Sequence, residues 1–97
     1  MQKDLAEGLT ADEIRNAIDA HVAQRPERVW SIGVTNSPER VIAGLIEQGA
    51  SVATWNSWTA LSLTAALEVE RFYTQKGWRC GGAEHVRFRQ VSFLYIY

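Results

Sequence analysis

The chain reads as a small α+β domain, three helices flanking a three-stranded, mainly antiparallel sheet in the order α-β-α-β-α-β. Three observations predict this. Thr10 and Glu13 frame a helix start ahead of a helically spaced apolar run. Val29 to Arg40 passes from a β-like run through Gly33 and a polar turn into a helix opened by Ser37 and Pro38. The C-terminal Val86–Tyr97 is dense in aromatic and β-branched residues.

The elements follow in order. Thr10 with Glu13 three residues on is a capping box, and Leu9 and Ile14 occupy the two positions of a hydrophobic staple. Ile14, Ala17, Ile18, His21 and Val22 make one apolar face, which places His21 as a packed histidine. Pro26 stops this helix near Gln24. Arg28 to Thr35 is the first strand. Ser37 and Pro38 open a second helix that Gly49 ends. Ser51 to Trp55 reads as a short strand, and Thr59 to Lys76 as the longest helix, ended by Gly77. Gly81-Gly82 marks a loop. Val86 and Phe88 alternate with Arg87 and Arg89 in the last strand; from Val91 the large residues shift phase, which implies a bulge at Gln90–Val91. Leu94 and Ile96 beside Phe93, Tyr95 and Tyr97 imply burial on both faces there.

Ninety-seven residues make one domain with a limited core. A composition of 46% hydrophobic and 22% charged residues is that of a globular protein and excludes a disordered chain. No run approaches the roughly 20 apolar residues that span a bilayer. Met1 to Gly8 is polar and acidic rather than a signal peptide, and a lone Cys80 forms no internal disulfide; a cytoplasmic location is expected. His85 lies in the glycine-rich loop with no evident partner, and no His, Cys, Asp and Glu set has metal-ligand spacing.

The net charge of −1 conceals an asymmetry. Residues 1–27 hold six acids and three bases, whereas 71–90 hold Arg71, Lys76, Arg79, Arg87 and Arg89 against Glu84 alone. Those five cations are the expected nucleic-acid-binding set. Trp30, Trp55, Trp58 and Trp78 are many tryptophans for this length, and serve either as packing or as a stacking surface beside those cations.

Between Val29 and Gly77, about half of the chain, the sequence resembles the GIY-YIG nucleases through Ile32-Gly33 and the turn and helix that follow. The resemblance implies a three-stranded antiparallel sheet with flanking helices. It implies a site of one tyrosine from each signature strand, an arginine on the next helix, and a glutamate on a later helix that binds one divalent metal. The tyrosine of the second signature strand falls at Ser31. The arginine belongs eight residues after the glycine, at Val41, and Arg40 stands one position short. Glu70, in Val69-Glu70-Arg71-Phe72-Tyr73, matches the metal-binding glutamate. A helix and Pro26 stand where the first signature strand would be. Phe93-Leu94-Tyr95-Ile96-Tyr97 has that strand's composition, and pairing it with Val29–Val34 would bring Tyr95 or Tyr97 into the first tyrosine's place.

Helix geometry separates Arg40 from Val41. At about 100° per residue, Val41, Ile42, Leu45 and Ile46 form the apolar face and Arg40 points away from it. Losing one electrostatic donor at a developing phosphorane costs about 100- to 1000-fold in rate. The catalytic candidates implied by the resemblance are therefore Glu70, Arg40, Ser31 and Tyr95, with Glu70 as the metal ligand. The expectation is an impaired GIY-YIG-like domain that binds DNA, or a protein partner or a second copy of itself, away from membranes. The alternatives are a working endonuclease, with Mg²⁺ as its cofactor, and an interaction module unrelated to nucleases.

Overall fold

The computed structural model describes residues 8–25, 29–82 and 91–97. Pro26, Arg28, His85, Val86, Arg87, Phe88, Arg89 and the Gln90 side of the expected bulge lie outside them. Three helices and four strands follow in order: α1 (Ala11–Val22), β1 (Ser31–Thr35), α2 (Pro38–Glu47), β2 (Asn56–Ala60), α3 (Leu63–Thr74), β3 (Arg79–Gly82) and β4 (Ser92–Ile96). The sheet order is β2-β4-β1-β3. β4 runs antiparallel to both β1 and β2, while β3 runs parallel to β1.

The expected three-stranded sheet is thus corrected to a mixed four-stranded one. The extra strand is β3. Its Arg-Cys-Gly-Gly has no β-branched residue and reads locally as a loop. It pairs because the crossover through α3 returns the chain alongside β1. Two boundaries also move. Ser51–Trp55 is not a strand; the strand is Asn56–Ala60, and Ser62 rather than Thr59 begins α3 by accepting a hydrogen bond from the Ala65 amide at 3.1 Å.

Several local expectations are met. The Thr10 amide donates to Glu13 Oε1 at 2.9 Å and the Glu13 amide to Thr10 Oγ1 at 3.2 Å, which closes the capping box. Ile14 is fully buried and Leu9 packs against the same core. Strand β4 does lie beside β1, with Ile32 opposite Ile96, Gly33 opposite Tyr95 and Val34 opposite Leu94.

One face of the sheet carries the core. Trp30, Ile32, Val34, Leu94, Ile96 and Ala60 meet Ile14 and Ile18 of α1 and Leu63, Ala66, Val69 and Tyr73 of α3. These positions alternate along each strand, as the pleat requires. The buried positions of α3 recur at helical spacing from Leu63; Leu61 precedes the helix and is 59% exposed. The Tyr73 hydroxyl joins the two helices by donating to Asp19 Oδ1 at 2.7 Å.

Helix α2 belongs to the other side. Val41, Ile42 and Leu45 are half-buried, yet none joins the core or packs against it. The crossover from β1 to β2 runs along the sheet in the opposite sense to that from β2 to β3. A right-handed path therefore carries α2 over the face that α3 does not cover. Arg40 is exposed and Val41 half-buried, as the helix geometry requires.

The outer edge of β2 is closed locally. The Leu9 amide donates to the Thr59 carbonyl at 2.9 Å and the Leu61 amide to the Leu9 carbonyl at 2.8 Å. The Ser57 amide donates to Asn56 Oδ1 at 2.8 Å. Such caps leave fewer groups for another strand to pair with. Gly8 fits the contact because a Cβ there would stand 2.5 Å from the Ala60 carbonyl carbon.

Candidate functional site

The two faces of the sheet differ chemically. On the face away from the core the strand residues align in three rows. Arg79 of β3 is in register with Ser31, and Ser31 exchanges backbone hydrogen bonds with Tyr97 at 2.9 and 3.0 Å. Trp55, just before the Asn56–Ile96 pair, extends this row. The second row is Gly33, Tyr95 and Ser57, and the third is Thr35, Phe93 and Thr59. Among the described strand residues this face therefore holds aromatic rings, hydroxyls and one guanidinium, and no carboxylate.

The aromatic side chains are ordered against one another. Tyr95 and Trp55 stack with centroids 5.1 Å apart and planes 14° from parallel. Tyr97 stacks on both, at 6.1 Å from Tyr95 and 6.3 Å from Trp55. Tyr95 is 4% exposed, and its ring lies across Gly33, the residue opposite it. Glycine leaves the space that this ring occupies, a cross-strand pairing that also protects a glycine in a sheet. Trp55 and Tyr97 remain partly exposed.

The loop that delivers Trp55 is held from the core side. His21 Nε2 lies 3.3 Å from the Thr54 carbonyl oxygen, which accepts the bond. The imidazole meets Trp30 and Trp58 edge-on, with centroids at 5.7 and 6.2 Å. His21 is thus a packed histidine with a bonded nitrogen, as its place on the helix face implies.

The expected catalytic residues do not converge. Ser31 and Tyr95 lie on the aromatic face. Glu70 is half-buried on α3, where Cys80 Sγ donates to its Oε2 at 3.4 Å. Cys80 is in register with the core residue Ile32, so it points to the α3 side. The sheet therefore stands between Glu70 and the Ser31–Tyr95 side. Arg40 is exposed on α2. The neighbour of Glu70 is a thiol, and among the described residues no three of His, Cys, Asp and Glu gather.

The expected cation set also divides. Arg79 is on the aromatic face, and Arg87 and Arg89 lie outside the described residues. Arg71 lines a groove of about 490 Å³ between α1 and α3, together with Arg15, Phe72, Asp12 and Glu68. Arg15 and Lys76 sit over the Phe72 ring at 4.9 and 4.5 Å from its centroid. Arg15 is ion-paired to Asp12. Sequence reasoning overlooked Arg15, which lies far from the basic segment in the chain and meets it only through α1–α3 packing. The spacing of Trp55 from Tyr95 and Tyr97 is visible only once β2 and β4 are paired.

No helix among the described residues is long and apolar enough to cross a membrane. Comparison with protein-family profiles, with curated proteins and with solved structures gives no match to this chain.

Proposed function

We propose that this chain is a GIY-YIG-like domain that binds nucleic acid without cutting it. The observation that carries the reading is the aromatic face. It joins Arg79 to Trp55, Tyr95 and Tyr97 in adjacent rows with no carboxylate among the described strand residues. Aromatic rings and a cation on one face suit a nucleic acid. The GIY-YIG likeness draws support from Ile32-Gly33 on β1, from Ser37-Pro38 opening α2, and from β4 filling the missing first signature strand's place. The reading without cleavage draws support from the sheet standing between Glu70 and the tyrosines, and from Val41 where the arginine belongs.

The test is a binding titration of the full chain with DNA and RNA oligonucleotides at several salt concentrations, alongside a nicking assay in Mg²⁺. The expected result is affinity that falls as salt rises, with intact substrate. Absence of binding at low salt sinks the reading. Mg²⁺-dependent nicking that Glu70→Ala abolishes would instead establish an endonuclease. A second reading, docking of a protein partner or a second copy, is favoured by Leu61 and Val91. They flank the paired Ala60 and Ser92 and are 59% and 56% exposed. Sedimentation analysis that finds only monomer counts against self-association.

A further inference from the structure

We infer that α2 is a hinged lid over the aromatic face of the sheet, opening as a unit while the sheet, α1 and α3 stay folded. The lid rests on the fold alone; its control over a ligand of that face rests on the nucleic-acid reading above.

The three helices are held unequally. Helix α1 buries Ile14 and Ile18, and α3 buries Leu63, Ala66, Val69 and Tyr73. Helix α2 has no buried residue. Its Val41, Ile42 and Leu45 are half-buried, Ile46 is 58% exposed, and none reaches the core. Among the described residues, no side chain of Pro38–Glu47 makes a hydrogen bond or ion pair to another element. The Glu39 carboxylate accepts from Ser37 Oγ at 3.2 Å, just ahead of the helix. An element that buries little apolar surface and shares no polar side-chain bond with its surroundings opens at lower free energy than the core.

The helix is also weak in itself. Its 10 residues fall short of the roughly 12–15 at which a helix persists alone in water, so leaving the sheet and melting coincide. Gly44 lies inside it, where glycine is a poorer helix former than alanine, and a Cβ there would meet nothing within 4 Å. Ser37, the N-cap, makes no capping side-chain bond. The ends, by contrast, are tied down. Asn36 Nδ2 donates to the Val91 carbonyl at 3.0 Å, and His21 bonds the Thr54 carbonyl. Gly49, with φ of 81°, turns the chain between the helix and the second anchor. The segment between the anchors therefore opens without breaking the pairing of β1 with β4. It uncovers Tyr95, which is 4% exposed on the face that α2 crosses.

The experiment is native-state hydrogen exchange of the full chain, residue by residue, across low urea concentrations. The hydrogen-bonded amides of α2 are expected to exchange at least about 100-fold faster than those of α3 and β4. Their exchange should depend little on urea, because opening α2 alone exposes little surface. Tyr73→Phe, on the far side of the sheet, should lower protection in α3 and β4 about 5- to 30-fold and leave α2 unchanged. Gly44→Ala should raise α2 protection about 4- to 5-fold. Nitration of Tyr95 by tetranitromethane, located by mass spectrometry, is a second readout. Gly44→Ala should slow it by the same factor, and Tyr73→Phe should not change it. An oligonucleotide reaches this face only in the open form, so Gly44→Ala should weaken binding by that factor too. Exchange of α2 in step with the core, in urea or in Tyr73→Phe, overturns the lid. Wild-type oligonucleotide affinity in Gly44→Ala, with α2 protection raised, overturns the control and leaves the lid. No binding of any oligonucleotide removes the nucleic-acid reading and the control with it, while the exchange data still decide the lid.

Discussion

Gly33→Ala is the sharpest probe of the aromatic face. A Cβ at Gly33 would stand 2.5 Å from Tyr95 Cζ and 2.8 Å from Cε2. Carbon atoms at rest stand about 3.5–4.0 Å apart, so the ring must leave. Gly33 has an ordinary negative φ, so backbone strain plays no part. Three contributions set the size of the effect. Forcing a methyl into an occupied site costs about 1–3 kcal/mol. Swinging Tyr95 out breaks its stacks on Trp55 and Tyr97, each about 0.5–1.5 kcal/mol. Against this, alanine in place of glycine in a strand recovers about 0.5–1 kcal/mol of chain entropy. The net is a loss of about 3 kcal/mol, which for a domain of this size lowers Tm by about 12–24 °C. The assays are thermal unfolding followed at 222 nm and near-UV circular dichroism for the aromatic stack. A double-mutant cycle assigns the cause. In a Tyr95→Val background, Gly33→Ala should become neutral or stabilising, since the clashing ring is gone. An unchanged Tm with an intact near-UV signal refutes the reasoning, and so does an equal cost in both backgrounds.

Two further outcomes follow from the core side. Tyr73→Phe removes the bond to Asp19 Oδ1 and should cost about 1–2 kcal/mol in urea unfolding. Burial first, then the hydrogen bond and negative charge of Asp19, pushes the Tyr73 phenol well above its ordinary value. The unfolded phenol titrates at about 10. Its contribution is thus complete below about pH 10 and is lost as pH rises beyond it, because the unfolded chain releases the proton first. Stability measured from pH 9 to 11 should fall less steeply in Tyr73→Phe than in the wild type; parallel curves would exclude this origin. Ser92 is 2% exposed, and its Oγ has no hydrogen-bond partner among the described residues. Ser92→Ala should therefore raise the unfolding free energy by about 1 kcal/mol, read as a higher urea midpoint at constant m, and a lowered midpoint would reveal a bond to that hydroxyl.

Legibility in the sequence followed locality. The start of helix α1 was readable, and its end to within two residues, because its capping box, staple and apolar period all lie within a few residues of one another. The pairing of β4 with β1 was readable from the composition of Phe93–Tyr97 and the absence of an earlier partner strand. Burial on both faces of β4 was readable from Leu94 and Ile96 alternating with Tyr95 and Tyr97. Strand β3 was not, because Gly81-Gly82 signals a loop and pairing with β1 is fixed by a crossover many residues long. β2 was misplaced for a related reason. Trp58 and Ala60 continue a helix-like run into Leu63, and only cross-strand contact with Leu94 and Ser92 makes them strand. The side on which Glu70 lies follows from the same undetected strand, since Cys80 of β3 is its neighbour.

Placing Glu70 changes the meaning of the altered signature residues. Read along the sequence, the resemblance lacks the tyrosine at Ser31, the arginine at Val41 and the first signature strand. In three dimensions Tyr95 and the half-buried Val41 share one side of the sheet, because β4 supplies a tyrosine opposite Gly33 and α2 crosses over that same face. Glu70 faces the other side, beside a thiol. A guanidinium at position 41 would lie on the side of the sheet away from Glu70. The same arrangement that separates the acid from the tyrosines leaves the aromatic face without negative charge among its described strand residues. Under the proposed reading, a GIY-YIG-like site would lack its metal's ligand on that face, and the strand residues there would add no repulsion toward a polyanion. One feature of the topology, β3 parallel to β1 with α3 on the far face, thus sets Glu70 apart from the tyrosines.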